Sequence, residues 1–135
     1  MSEEDVLVLI AAEPGPLRDS LRVLLTVVPC AMAVDQAGDA SSTLQAVDET
    51  HPDLVLLDGG MPDAEIAEVV ARIKASDPQS KCLVLADDVQ QRRQVLAAGA
   101  DAALVKGTPA TALLESIEAL VSPVEAQDQH IRTHE

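Results

Sequence analysis

Phenylalanine, tyrosine and tryptophan are all absent from this chain of 135 residues. Aromatic rings usually supply much of a core's buried area, so the interior must be assembled from Leu, Val, Ile and Ala. The same absence excludes functions that need a ring, such as stacking on nucleic-acid bases or caging a quaternary amine. Positive charge is scarce as well: 9 Lys and Arg stand against 23 Asp and Glu, a net charge of −14. A surface of that sign repels nucleic acid, whose binding depends on cations that neutralise phosphates, and favours solubility and basic partners. Most of these acids are expected simply to face water. Cysteine occurs twice, as Cys30 and Cys82, far apart and in no CxxC or metal-ligand spacing. Cys82 opens an apolar run, and such use of cysteine fits a reducing, cytoplasmic setting. His51, His130 and His134 form no metal-ligand set. No apolar stretch reaches the length of a membrane span and none resembles a signal peptide, so no membrane partner is expected.

The length suits one domain, and a hydrophobic content of 47% is enough for a real core. Short apolar runs alternate with helical spacing. Val6–Ile10 reads as a first strand, and Leu17, Leu21, Leu24, Leu25 and Val28 then recur at helical intervals after Pro14 and Pro16. Met32–Val34 is a weak second strand, followed by Asp39 as the cap of a helix carrying Leu44 and Val47. Leu54–Leu57 is the third strand. Ile66, Val69, Val70 and Ile73 mark a helix that Asp77-Pro78 breaks. Cys82–Leu85 is the fourth strand, and the helix over 89–98 ends at Gly99. Ala102–Val105 is the fifth strand. Thr108-Pro109 reads as a cap and first position for a last helix built on Leu113, Leu114, Ile117, Leu120 and Val121. Five strand–helix units of this kind predict an α/β fold with a parallel sheet covered on both faces. The expected domain occupies residues 1–121, and residues 122–135 read as a polar tail or linker.

Asp58 is the most informative single residue. It closes the apolar run Leu54–Leu57 and is followed by Gly59, Gly60, Met61 and Pro62. An acid at the C-terminal end of a buried parallel strand sits where open α/β sheets place their chemistry. Glycines there let a phosphate or metal approach the backbone. By position alone Asp58 reads equally as a nucleophile or metal ligand and as the cap of the next helix. The ends of the first, third, fourth and fifth strands should share one rim and bring Glu13, Asp58, Asp87-Asp88 and Lys106 together. Carboxylates and an amine around one point suit Mg²⁺ and phosphoryl chemistry: hard oxygens hold the ion, the ammonium offsets phosphoryl charge, and a carboxylate nucleophile forms an acyl phosphate. Each residue also has an ordinary structural use. Glu13 complements a helix dipole, Lys106 serves as a surface cation, and Asp87-Asp88 caps the fourth helix, which ranks above a metal role.

Four segments carry a resemblance to a known family: Val6–Ile10, Asp53–Asp58 with Met61-Pro62, Leu96–Ala102, and Leu104-Val105-Lys106. Over roughly residues 5–121 the chain resembles the receiver domain of bacterial response regulators in two-component signalling, most like receivers that precede LuxR-type helix-turn-helix output domains. The resemblance implies a flavodoxin-like sheet of order 2-1-3-4-5 with five helices. It implies Asp58 as phosphoacceptor, Lys106 as partner of the acyl phosphate, and Glu13, Asp58 and the Gly60 carbonyl as Mg²⁺ ligands. It further implies a sensor histidine kinase as phosphoryl donor, an output domain or other protein as partner, and no turnover enzyme, although receivers assist their own phosphoryl transfer. Self-association is expected through the face of the fourth helix, fifth strand and fifth helix, with Gln90, Gln91, Arg92, Arg93, Glu115 and Glu118 on it.

The chain departs from the receiver pattern at five positions. Ala12 replaces the first acid of the pair after strand one, Ala86 the hydroxyl that ends strand four, and Ala103 the switch aromatic of strand five; Ile66 stands for a usual glycine, and Gly107 for the proline after the lysine. A weakened Mg²⁺ site and a reduced or lost consequence of phosphorylation are expected, since phosphate has less differential energy to offer. The alternative is a phosphorylation-independent pseudo-receiver serving as an interaction or dimerisation module.

Overall fold

The computed structural model describes residues 6–28 and 32–121. Cys30 and the stretch 122–135, with His130 and His134, lie outside them. Strands β1 (Val6–Ala11), β2 (Met32–Ala37), β3 (Leu54–Asp58), β4 (Lys81–Ala86) and β5 (Ala102–Val105) alternate with helices α1 (Pro16–Leu25), α2 (Ala40–Thr50), α3 (Ile66–Ser76), α4 (Val89–Ala97) and α5 (Ala110–Val121). All strands are parallel, in the order β2-β1-β3-β4-β5. This is the parallel sheet expected from the alternation of strand and helix patterns, in the flavodoxin-like order that the resemblance implied.

The continuous apolar runs of the inner strands divide by the pleat into two half-cores. Leu9, Ala11, Val55, Leu57, Cys82 and Val84 face α2, α3 and α4, where Val47, Val69, Val70, Ile73 and Val95 meet them. Val8, Ile10, Leu54, Leu56, Leu83 and Leu85 face α1 and α5, where Leu21, Leu25 and Ile117 close the layer. Every one of these side chains is aliphatic or a thiol, so aliphatic packing alone fills the space that rings usually occupy. Ile66 is buried in the first of these clusters, which accounts for a large apolar residue at that helix start.

Several boundaries differ from the sequence reading. β2 continues to Ala37, because Asp35 and Gln36 pair with Leu9 and Ile10 along the edge of the sheet, where polar side chains can stay in water. Asp39 caps α2 as expected, in a reciprocal box with Ser42, and those hydrogen bonds hold its carboxyl below the usual range. The Thr108 hydroxyl does not cap the last helix. It donates to the Val105 carbonyl, and Pro109 takes the capping position, its carbonyl accepting from Leu113. Gly99, at φ 114°, follows the last turn of α4 and supplies the left-handed residue that ends it.

Candidate functional site

Each member of the site is placed by the end of a strand. Backbone bonds from Gly59 N–H to the Leu85 carbonyl and from Lys106 N–H to the Ala86 carbonyl, both 2.8 Å, bring the ends of β3, β4 and β5 side by side. Asp58, almost buried, lies at the end of β3, and its Oδ1 accepts the Gly60 N–H at 2.8 Å and lies 2.6 Å from Lys106 Nζ. Lys106 reaches it from the end of β5, and Gly107, at φ 96°, takes the left-handed turn directly after the lysine.

The amine is shared. Lys106 Nζ also donates to Asp87 Oδ1 at 2.8 Å. Burial works against the charged amine, yet the hydrogen bonds and charges of Asp58 and Asp87 outweigh it and raise its pKa above the ordinary value. The neighbouring pair Asp87-Asp88 therefore splits. Asp88 caps α4 by accepting the Gln91 N–H, as the sequence suggested, whereas Asp87 turns to the lysine. Sequence reasoning ranked a capping role first for both acids; only Asp88 fills it.

Two further residues at this rim escaped the sequence reading. Gln91 donates from Nε2 to the Gly59 carbonyl and accepts the Asp87 N–H on Oε1, tying the first turn of α4 to the loop after Asp58. A side chain at Gly59 would collide with this amide and come within 2.7 Å of the Leu85 carbonyl, so glycine is required there. Arg18 donates twice to the Ala12 carbonyl and once to Gln36 Oε1, clamping the corner after β1 to β2. Neither role has a local signature, because Gln91 depends on the Gly59 carbonyl and Arg18 on the Gln36 side chain, both brought in from distant segments.

Glu13 lies exposed on the loop after β1, and among the described residues no hydrogen bond or ion pair joins it to Asp58 or Lys106. No group of three acid, histidine or cysteine side chains gathers as a metal-ligand set among the described residues. Ala12, Ala86 and Ala103 are all buried and offer only methyl groups where a hydroxyl, acid or ring was expected by resemblance. The Arg92 Nε–H donates to the Ala103 carbonyl at 2.8 Å. Gln91, expected on a self-association face, thus has its amide engaged within the chain, and Arg92, expected on the same face, has its Nε–H engaged while the residue stays exposed.

The acid–lysine pair stands at the C-terminal rim of a doubly wound sheet, the place where proteins of this α/β class bind their ligands. The chain belongs to the response regulator receiver domain family, whose profile matches residues 8–118. It is 27% identical to the transcriptional regulatory protein DegU of Brevibacillus brevis over 120 residues, 87% of this chain and 51% of DegU. The chain thus spans about half the length of that relative. A LuxR-family two-component response regulator from Aurantimonas sp. SI85-9A1 superposes with a TM-score of 0.78 at 23% identity, covering 97% of this chain and 99% of that one. The receiver domain of the sensor histidine kinase PA1611 from Pseudomonas aeruginosa PAO1, solved with magnesium in its active-site cleft, superposes with a TM-score of 0.72 at 17% identity, covering 85% and 95%. These likenesses show the fold. Among the described residues no helix is long and apolar enough to cross a membrane.

Proposed function

We propose that this receiver domain is an atypical one, in which Asp58 is the phosphoacceptor and the conformational readout is reduced. The observation that carries the reading is the 2.6 Å contact between Lys106 Nζ and Asp58 Oδ1 at the end of a buried strand. An almost buried carboxylate held against an ammonium is oriented for attack on phosphorus, and the same ammonium can follow the charge onto a phosphoryl oxygen. The domain in this reading spans residues 1–121, is not a turnover enzyme, and works in the cytoplasm with a sensor histidine kinase as donor and a protein or output domain as receiver of the signal.

The donor set suits Mg²⁺ only in part. Both polar contacts of the Asp58 carboxylate fall on Oδ1, and Oδ2 accepts no bond from the described residues. Asp58, the Glu13 carboxylate and the Gly60 carbonyl would hold the ion, which would neutralise charge on the incoming phosphoryl group. With Ala12 in place of an acid, one fewer negative group balances the ion, and the affinity is reduced accordingly.

The atypical character rests on the methyl groups of Ala86 and Ala103. No hydroxyl at Ala86 can capture a phosphoryl oxygen, and no ring at Ala103 can turn inward. A homodimer through α4, β5 and α5 remains part of the proposal, with Gln90, Arg93 and Glu115 exposed on that face. Titration with Mg²⁺ and beryllofluoride tests the reading. Amide NMR shifts confined to Asp58, Gly60 and Lys106, with little change in α4, are expected. Shifts nowhere near Gly60 would leave the phosphorylation-independent interaction module as the function.

A further inference from the structure

We propose that Asp87 is a built-in competitor for the phosphoryl group: its carboxylate shares the Lys106 amine and must release it before Asp58 can carry phosphate. The inference rests on Asp58 being the phosphoacceptor.

The position of Asp87 is fixed from both sides. Ala86 ends β4, Asp88 caps α4, and the Asp87 N–H is bonded to Gln91 Oε1 at 2.8 Å. The side chain is left to project over the loop after Asp58. A Cβ added to Gly60 would lie 3.3 and 3.4 Å from the two Asp87 carboxylate oxygens and 3.1 Å from Lys106 Nζ. Asp87 therefore stands directly over the loop that holds Asp58, and the two acids divide one ammonium at 2.8 and 2.6 Å.

Two consequences follow for an incoming phosphoryl donor. It is an anion, and it meets the negative charge of Asp87 beside its target. The acyl phosphate, once formed, draws on Lys106 for its oxygens, because the buried methyl of Ala86 provides no hydroxyl. Both effects slow the reaction while Asp87 keeps its hold. The Asp87 side chain is half exposed, so it can swing away into water when displaced.

Phosphoramidate with Mg²⁺ is the test donor. A carboxylate oxygen of Asp58 attacks phosphorus, the P–O bond forms as the P–N bond breaks, and the P–N electrons leave on ammonia. The initial rate of labelling is read by intact mass for the unmodified chain, Asp87→Asn and, as a charge control, Asp48→Asn on the exposed side of α2. Removing one like charge a few ångströms away, at a half-exposed site, raises the rate about tenfold, and Asp48→Asn leaves it unchanged. The affinity of inorganic phosphate, read from the Lys106 side-chain NMR signal without Mg²⁺, rises in Asp87→Asn as well. An equal labelling rate in the two chains, where labelling occurs, overturns the proposal. A slower rate in Asp87→Asn also overturns it and marks Asp87 as a metal donor instead. If neither chain is labelled, the reading of Asp58 as acceptor fails and the proposal falls with it, an outcome distinct from equal labelling, which overturns the proposal alone.

Discussion

The two rims of the sheet use the same kinds of residue for opposite ends. Among the described residues, the acids at the N-terminal rim hold the scaffold together. Asp53 Oδ2 accepts the Leu7 N–H, Asp101 Oδ2 accepts the Cys82 N–H and the Lys74 amine, and Asp77 Oδ2 lies 2.9 Å from the Ser80 hydroxyl and 3.3 Å from His51 Nδ1. Lys74 completes the knot by donating to the carbonyls of Pro78 and Ser80. At the C-terminal rim, Asp58 takes one backbone N–H, and otherwise Asp58 and Asp87 depend on a single amine. An acid that satisfies the main chain is a structural part; acids that share one mobile cation are available for chemistry. The segment Leu96–Ala102 that contributed to the family resemblance thus belongs to the scaffold, through Gly99 and Asp101.

The contrast can be broken by substitution. Asp101→Ala leaves the Cys82 N–H and the Lys74 amine without their carboxylate, and a loss of about 2 kcal/mol is expected in urea unfolding. Asp39→Ala, which removes the α2 cap, is expected to cost less than Asp101→Ala in the same measurement. Asp87→Asn, whose side chain is half exposed, should change stability by less than about 0.5 kcal/mol. If Asp87→Asn destabilises as much as Asp101→Ala, the two rims are not different in kind.

Alkaline titration sharpens the comparison. Lys106 has a raised pKa, so the folded state holds its proton more tightly than the unfolded chain. Its contribution to stability is present in full below the unfolded value of about 10.4 and is lost as pH rises through the raised folded value. Lys106→Gln should flatten this part of the stability profile. Burial beneath α3 pushes the Cys82 thiol up to about 12, so the folded protein carries almost no thiolate near neutrality. A disulfide reagent is expected to label Cys82 only at the rate of unfolding. Fast labelling of the folded chain at neutral pH would show that the half-core facing α2, α3 and α4 opens.

Much of this fold could be read before any coordinates, because strand and helix periods alternate cleanly and turn residues separate them. The second strand was read short, since Asp35 and Gln36 look like loop residues until an edge position is known. Asp58 and Lys106 were legible because each ends an apolar run, and parallel topology then puts such ends on one rim. Glu13 was placed with them by the same logic, but a residue beyond a strand end is steered by its loop, and its side chain remains in solvent. Gln91, Arg18 and Asp101 were not legible in these roles. Gln91 meets the Gly59 carbonyl, Arg18 the Gln36 side chain and Asp101 the Cys82 N–H, all on distant segments, and no spacing within the sequence encodes those meetings.

The most direct test of the central claim is to locate the phosphoryl group after reaction with phosphoramidate and Mg²⁺. A single alkali-labile, hydroxylamine-labile phosphoryl group on Asp58, abolished by Asp58→Asn, is the expected result. Labelling that survives Asp58→Asn, or none at all in the unmodified chain, would contradict the assignment.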